Sequence, residues 1–169
     1  MGIEIERKFL IRDRSILDGS IGVPYRQGYL SQGYLSTDPD RTVRVRKTGE
    51  RPYLTIKGRS EGAARMEFEY EIPADDAERL LGSCKRPLIE KTRHRIEHAG
   101  LTWEVDVFSG ENAGLVLAEV ELLSADAAVE IAEWAGEEVT SDSRFFNANL
   151  VEHPFSEWST QRDDEATRG

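Results

Sequence analysis

Glu4, Glu6 and Lys8 alternate with Ile5, Arg7 and Phe9 near the start of the chain. Residues i and i+2 share one face of a β-strand, so two carboxylates and an ammonium project together. The habit recurs in Arg44 and Arg46, Glu67 and Glu69, Arg93 and Arg95, Glu104 and Asp106, and Glu119 and Glu121. An ordinary half-buried strand needs only mild polar residues on its wet face. Here that face is densely ionised, with both signs, in strand after strand. Such a surface suits a polyanion together with the metal ions that accompany it.

Magnitudes favour a bound cation. Carboxylates at i and i+2 lie roughly 7 Å apart along a strand. At an effective dielectric near 20 they repel by about 2 kcal/mol per pair. Several such pairs around one cavity need cations among them. All-oxygen carboxylate sites suit Mg²⁺ or Mn²⁺ rather than zinc. Lys8, Arg44, Arg46, Lys57 and Arg93 supply the other half, Arg by bidentate contact with phosphate and Lys as a point charge. Carboxylates, metal and a basic cradle make a site for phosphoryl transfer.

Taken alone, one Glu-x-Glu pair is usually a solvated face or protection of a sheet edge. Recurrence across some six strands carries the functional reading. Other residues carry less. His94, His98 and His153 are scattered without ligand spacing and are expected at the surface. No serine has a nucleophile-elbow context. Gly58–Gly62 reads as a turn, and Trp103, Trp134 and Trp158 as core or lid residues.

These side chains need strands to hold them. Eight segments have strand alternation and bounding turns. They lie near Ile3–Ile11, Arg26–Ser36, Arg41–Lys47, Tyr53–Lys57, Arg65–Ile72, Lys91–His98, Leu101–Phe108 and Leu115–Leu123. Short links such as 48–50, 58–62 and 99–100 favour antiparallel neighbours. Helices are predicted over Asp75–Ser83 and Ser124–Trp134, the second from its N-cap serine and its Ala128, Ile131 and Ala132 stripe. A shorter helix starts at Ser141 or Asp142 and runs to Leu150. Apolar residues occupy the opposite strand faces, so the charged faces turn inward if the sheet closes. A barrel of about eight strands can hold side chains or one small ligand. The segment Gln27–Ser31 is repeated at once as Gln32–Ser36. An odd repeat length puts Tyr29 and Tyr34 on opposite faces.

The 169-residue length fits one domain with a real core. A net charge of −10 argues against a general nucleic-acid or anionic-membrane binder. Cys84 is the single cysteine, which excludes an intrachain disulfide and a Cys-based zinc cluster. No apolar run approaches a membrane span, and the N-terminus lacks an apolar signal region. The expectation is a cytoplasmic protein with one domain over 1–155 and a polar, flexible tail over 156–169.

Glu4-Ile5-Glu6-Arg7-Lys8 resembles the N-terminal Glu-x-Glu-x-Lys signature of the CYTH superfamily, the triphosphate tunnel metalloenzymes. The likeness continues through Thr42–Arg46, Leu54–Lys57, Arg65–Glu69, Lys91–Arg93, Val105–Phe108, Glu119–Glu121 and Asp142–Asn147. It implies an α+β fold: an eight-stranded antiparallel closed barrel, the triphosphate tunnel, with flanking helices and a C-terminal plug helix. Carried over residue by residue, it implies metal or water ligation by Glu4, Glu6, Glu67, Glu69, Asp106, Glu119 and Glu121. It implies triphosphate contacts from Lys8, Arg44, Arg46, Lys57 and Arg93, with Lys91 and Arg144 as auxiliaries. Glu4, Glu6 and Lys8 would act in catalysis with one tyrosine of the doubled segment, Tyr29 being the expected one. Arg95, Glu71 and Glu104 fit the alternation but not the family pattern. The reaction implied is Mg²⁺- or Mn²⁺-dependent hydrolysis of inorganic tripolyphosphate to pyrophosphate and phosphate. An adenylate cyclase, a thiamine or nucleoside triphosphatase, or a non-catalytic polyphosphate-binding module are the alternatives. The expected partner is a small-molecule triphosphate, with no nucleic acid and no membrane, on a monomer or homodimer.

Overall fold

The computed structural model describes residues 2–18, 25–49 and 51–158, with side chains from residue 28 onward in the second stretch. The expected tail lies almost wholly outside these residues. In chain order the elements are β1 (Gly2–Ile11), β2 (Tyr25–Ser36), β3 (Arg41–Thr48), β4 (Arg51–Glu61), β5 (Ala64–Glu71), α1 (Ala74–Ser83), β6 (Ile89–His98), β7 (Leu101–Ser109), β8 (Val116–Glu121), β9 (Ala135–Glu138) and α2 (Asn147–Glu152). The eight expected strand segments all form. β9 was not foreseen.

The sheet runs β5-β4-β3-β2-β6-β7-β8-β1, and pairing of β5 with β1 closes it into an antiparallel barrel. β1 is the seam. Its residues 2–5 pair with β5, residues 6–10 with β8, and Phe9 and Ile11 with β9. The short β9 therefore covers β1 where β5 has ended. The β6–β7 hairpin turns at Ala99 and Gly100, both with positive φ (50° and 78°), as a tight two-residue hairpin requires. Between β4 and β5 the turn shrinks to Gly62 and Ala63, because β4 continues through the segment read as a turn.

Alternation then sorts side chains inward and outward. Inside are Glu4, Glu6 and Lys8 of β1, Tyr34 of β2, Arg44 and Arg46 of β3, and their counterparts on the other strands. At one end the inward rows change character. Leu10, Ile89, Phe108 and Leu117 continue the rows of Lys8, Lys91, Asp106 and Glu119, and they pack with Tyr34, Phe145, Leu150 and Val151. This apolar floor seals that end beneath α2, the expected plug helix, which follows a 3-10 turn at Ser143–Phe145. Buried Asn112 staples the cover down. Its Nδ2 donates to Leu150 O and its Oδ1 accepts from Phe155 N.

Outside the barrel, α1 lays Ala77, Leu80 and Leu81 over Val45, Leu54 and Leu35. Here the doubled segment diverges between its copies. A Cβ on Gly33 would lie 2.6 Å from Cys84 Cβ, whereas one on Gly28 would meet open space. Only the second copy runs beneath α1.

Residues 124–134 correct the helix expected there. They form turns and extended chain. Ala127 and Val129 are half-buried while Ala128 and Ile131 face solvent, and Ala132 and Trp134 are buried. Burial alternates in two short runs, 127 and 129 and then 132 and 134, as extended chain does, and the segment lies along the barrel wall, where Trp134 meets Trp103 with centroids 5.2 Å apart. β-branched Val129 and Ile131 add little helix propensity to oppose it. His94 is likewise buried rather than at the surface.

Candidate active site

The barrel encloses a cavity of about 310 Å³. Among the described residues, its lining carries eight basic and seven acidic side chains, so it is near neutrality in a protein of charge −10. The ions are mostly paired. Lys57 Nζ lies 2.6 Å from Glu4 Oε2 and 3.0 Å from Glu67 Oε2. Arg44 and Arg46 share Glu69, at 3.5 and 3.2 Å. Lys8 meets Glu119 at 3.2 Å. Arg93 contacts Glu104, Asp106 and Glu119, and Lys91 meets Asp106 at 2.7 Å. Register makes these pairs: Lys8 faces Glu119, Lys57 faces Glu67 and Arg93 faces Asp106 across adjacent strands. Opposite charges at cross-strand positions are stabilising.

Burial sharpens the electrostatics. It disfavours the Lys8 ammonium, but the charges of Glu119 and Glu6 outweigh it and raise the pKa. Burial would raise Glu119 as well, yet Lys8, Lys91, Arg93 and Lys57 bring it far below the carboxylate range. Lys91 is different. Burial wins over Asp106 there and lowers its pKa to about 8. Glu6 is pushed up to about 7 by burial and by the charges of Glu119 and Glu4. Neither Glu6 nor Glu121 has a basic ion-pair partner within 4.0 Å among the described residues.

Most of the residues expected at the site line this cavity: Glu4, Glu6, Lys8, Arg44, Arg46, Lys57, Glu67, Glu69, Lys91, Arg93, Glu119 and Glu121. Three do not. Tyr29 is 53% exposed on the outer face, where its hydroxyl donates to Glu90, and Tyr34 takes the inward position. The five-residue offset inverts the two copies, so the tyrosine expectation is corrected to Tyr34. Arg144 lies outside, forked onto Asp142. Asp106 is fully buried behind the lining as counter-ion to Lys91 and Arg93.

Several lining residues were missed. Arg95 and Glu104 join the cavity, as their alternation allowed. Arg65 shares the parity of Glu67 and Glu69, a signal that was available. Its guanidinium donates to Gly58 O, Pro39 O and Thr42 Oγ1, and among the described residues it donates to no carboxylate. Asn147 had no such signal, because only the fold brings α2 to the cavity.

The CYTH domain family matches residues 2–154. The chain belongs to that family. This CYTH protein is 46% identical over 156 residues to an inorganic triphosphatase of Acetivibrio thermocellus, covering 92% of this chain and 97% of that one. It is 39% identical over 152 residues to an inorganic triphosphatase of Nitrosomonas europaea, covering 88% and 96%. Its fold matches the crystal structure of an inorganic triphosphatase with a TM-score of 0.63 at 36% identity, over 89% of this chain and 95% of the other. The ion-lined cavity of this chain is thus the interior of a CYTH barrel.

Among the described residues, no three acidic, Cys or His side chains are gathered as a ready metal site. The donor chemistry nevertheless fits a divalent cation. Glu6 and Glu121 pair across β1 and β8, both carry carboxylates into the cavity, and burial with the charges of Glu119 and Glu4 disfavours the ionised Glu6 until a cation is added. Asp106 and Glu69 fit less well: Asp106 is fully buried with Lys91 and Arg93 on its oxygens, and Glu69 is held by two arginines and Thr55 together.

Proposed function

We propose that this protein hydrolyses inorganic tripolyphosphate to pyrophosphate and phosphate with a divalent cation, Mg²⁺ or Mn²⁺. The observation that carries the reading is the cavity lining. Seven carboxylates and eight cationic groups converge on a space small enough for a compact polyanion. The curated relatives named inorganic triphosphatase support the same choice of substrate.

Lys8, Arg44, Arg46, Lys57, Lys91 and Arg93 bind the phosphoryl oxygens. Their charges stabilise the negative charge that moves to the bridging oxygen as the terminal P–O bond breaks. Glu4, Glu6, Glu119 and Glu121 would hold the cation, with Glu67 able to join them when Lys57 turns to substrate. The cation, when bound, supplies further neutralisation of phosphoryl charge. Water attacks the terminal phosphorus, pyrophosphate leaves, and one proton is released from the water. Tyr34, whose pKa burial raises, stays protonated and presents a donor to the cavity.

Phosphate release from tripolyphosphate, ATP, thiamine triphosphate and pyrophosphate, with a cyclic AMP assay alongside, tests the reading. Rapid turnover of tripolyphosphate with Mg²⁺ or Mn²⁺ is expected. Preferred turnover of an organic triphosphate, or cyclic AMP formation, overturns the substrate assignment.

A further inference from the structure

Asn147 opens α2 and lines the cavity from the plug side. Its Oδ1 accepts from Lys91 Nζ at 3.0 Å and from Gln32 Nε2 at 3.1 Å. An ammonium has donors only, so the Lys91 contact fixes which way the carboxamide is turned. Oδ1 is committed to Lys91 and Gln32. Nδ2 is directed away from them, and among the described residues it donates to nothing.

Gln32 strengthens this orientation at a cost to itself. It is fully buried, and among the described residues its Oε1 has no hydrogen-bond partner. A buried acceptor without a donor is unfavourable. Gln32 accepts that state while its Nε2 serves Asn147 and the Tyr34 hydroxyl. The same chain segment reaches the second lysine at this end, because Lys8 Nζ donates to Phe145 O at 3.3 Å.

We propose that Asn147 is a substrate-contact residue whose Nδ2 donates to a phosphoryl oxygen at the plug end of the tunnel, and that Gln32 is the positioning residue that holds its carboxamide for this contact. The proposal rests on the triphosphate reading above. One inward position beyond Lys91 lies Ile89, part of the apolar floor with Phe108 and Leu117. A phosphate chain cannot continue into that floor. The group Asn147 meets is therefore an unsubstituted chain end, with three non-bridging oxygens that accept hydrogen bonds.

Two substitutions separate contact from mere support. Asn147→Asp keeps an oxygen for Lys91 and Gln32 but replaces the donor by a carboxylate oxygen. Asn147→Ala removes both functions. If Asn147 only supports the plug, Asn147→Ala lowers the melting temperature and leaves KM near wild type. The proposal demands instead that KM for tripolyphosphate rises about 10-fold in Asn147→Ala and about 100-fold in Asn147→Asp, while Asn147→Asp melts no lower than Asn147→Ala. Gln32→Met, which keeps the shape but not the donor, raises KM severalfold with kcat little changed. An Asn147→Asp enzyme with a KM at or below that of Asn147→Ala overturns the contact, as does an unchanged KM in Asn147→Ala. Wild-type protein that releases no phosphate refutes the reaction instead. Calorimetric binding of tripolyphosphate to the wild type and the two Asn147 variants then decides the contact by the same order, and absence of wild-type binding overturns both.

Discussion

Lys8 Nζ lies 3.2 Å from Glu119 Oε1, directly across the β1–β8 pair, with 6% and 15% of the two side chains exposed. Each residue holds the other ionised against burial. Lys8→Met removes the cation and leaves Glu119 to Arg93, whose Nη2 is 3.6 Å away. Loss of one partner of a buried pair costs about 3–5 kcal/mol. The variant should melt lower and lose at least about 100-fold in kcat/KM for tripolyphosphate. Full activity in a stable Lys8→Met protein would take Lys8 out of the reaction.

Glu6→Gln should move stability and activity in opposite directions. The folded carboxyl holds its proton to about pH 7, against 4.5 for the ordinary group. Between those values the folded state binds more protons than the unfolded one, so this group's contribution to stability falls as pH rises through that window. Glutamine removes the penalty. Urea melts should find the variant more stable than wild type by up to roughly 3 kcal/mol at pH 8, and little different at pH 4. Phosphate release should be lost at both.

Arg44 and Arg46 share one carboxylate, Glu69, and Thr55 donates to that same group at 2.8 Å. Replacing both arginines by alanine should raise KM for tripolyphosphate by about 100-fold or more, since two charge-assisted contacts to phosphate are lost. Initial-rate kinetics check this. Glu69→Gln should be far milder, because its oxygens serve the arginines rather than a metal ion.

The doubled segment allows a matched pair of tests. Tyr34→Phe removes a hydroxyl inside the cavity and should lower kcat by about 10-fold or more. Tyr29→Phe removes one from the outer face and should leave kcat and KM unchanged. Equal behaviour of the two variants would contradict the inversion of the copies.

Asn112→Ala should destabilise without touching the chemistry. Two hydrogen bonds of this buried side chain, to Leu150 O and from Phe155 N, disappear together. A loss of about 1–3 kcal/mol is expected, read from chemical denaturation. The KM of the folded variant should stay near wild type if α2 keeps its seat.

The barrel was legible because charge alternation needs only a period of two, and each inward row repeats it. Glu4, Glu6, Lys8, Arg44, Arg46, Lys57 and Glu119 followed directly. Tyr34 did not, because parity gives two opposite faces without saying which is inside; β2 register against Arg93 and Lys91 supplies that. The segment 124–134 misled because Ala128, Ile131 and Ala132 mimic a helical stripe. Its burial instead follows the flat wall it covers, a tertiary fact. Arg144 carried the right charge in the right motif but lies next to Asp142, which captures it locally. Gln32 and Asn147 are 115 positions apart, and nothing local announces their meeting.

The pairing of charges inside the barrel makes anion uptake a displacement. A phosphoryl oxygen reaching Lys57 must evict Glu4 or Glu67, and one reaching Arg46 must evict Glu69. Affinity is then a difference between two sets of counter-ions. Chloride or acetate, with one charge, exchanges with one carboxylate at no advantage. A linear anion with several charges can turn out several carboxylates at once, so the chamber selects by charge density along a line. The evicted carboxylates do not leave the protein, and each creates demand for a cation beside the newcomer. Anion and divalent cation should therefore enter with positive linkage, each tightening the other's hold.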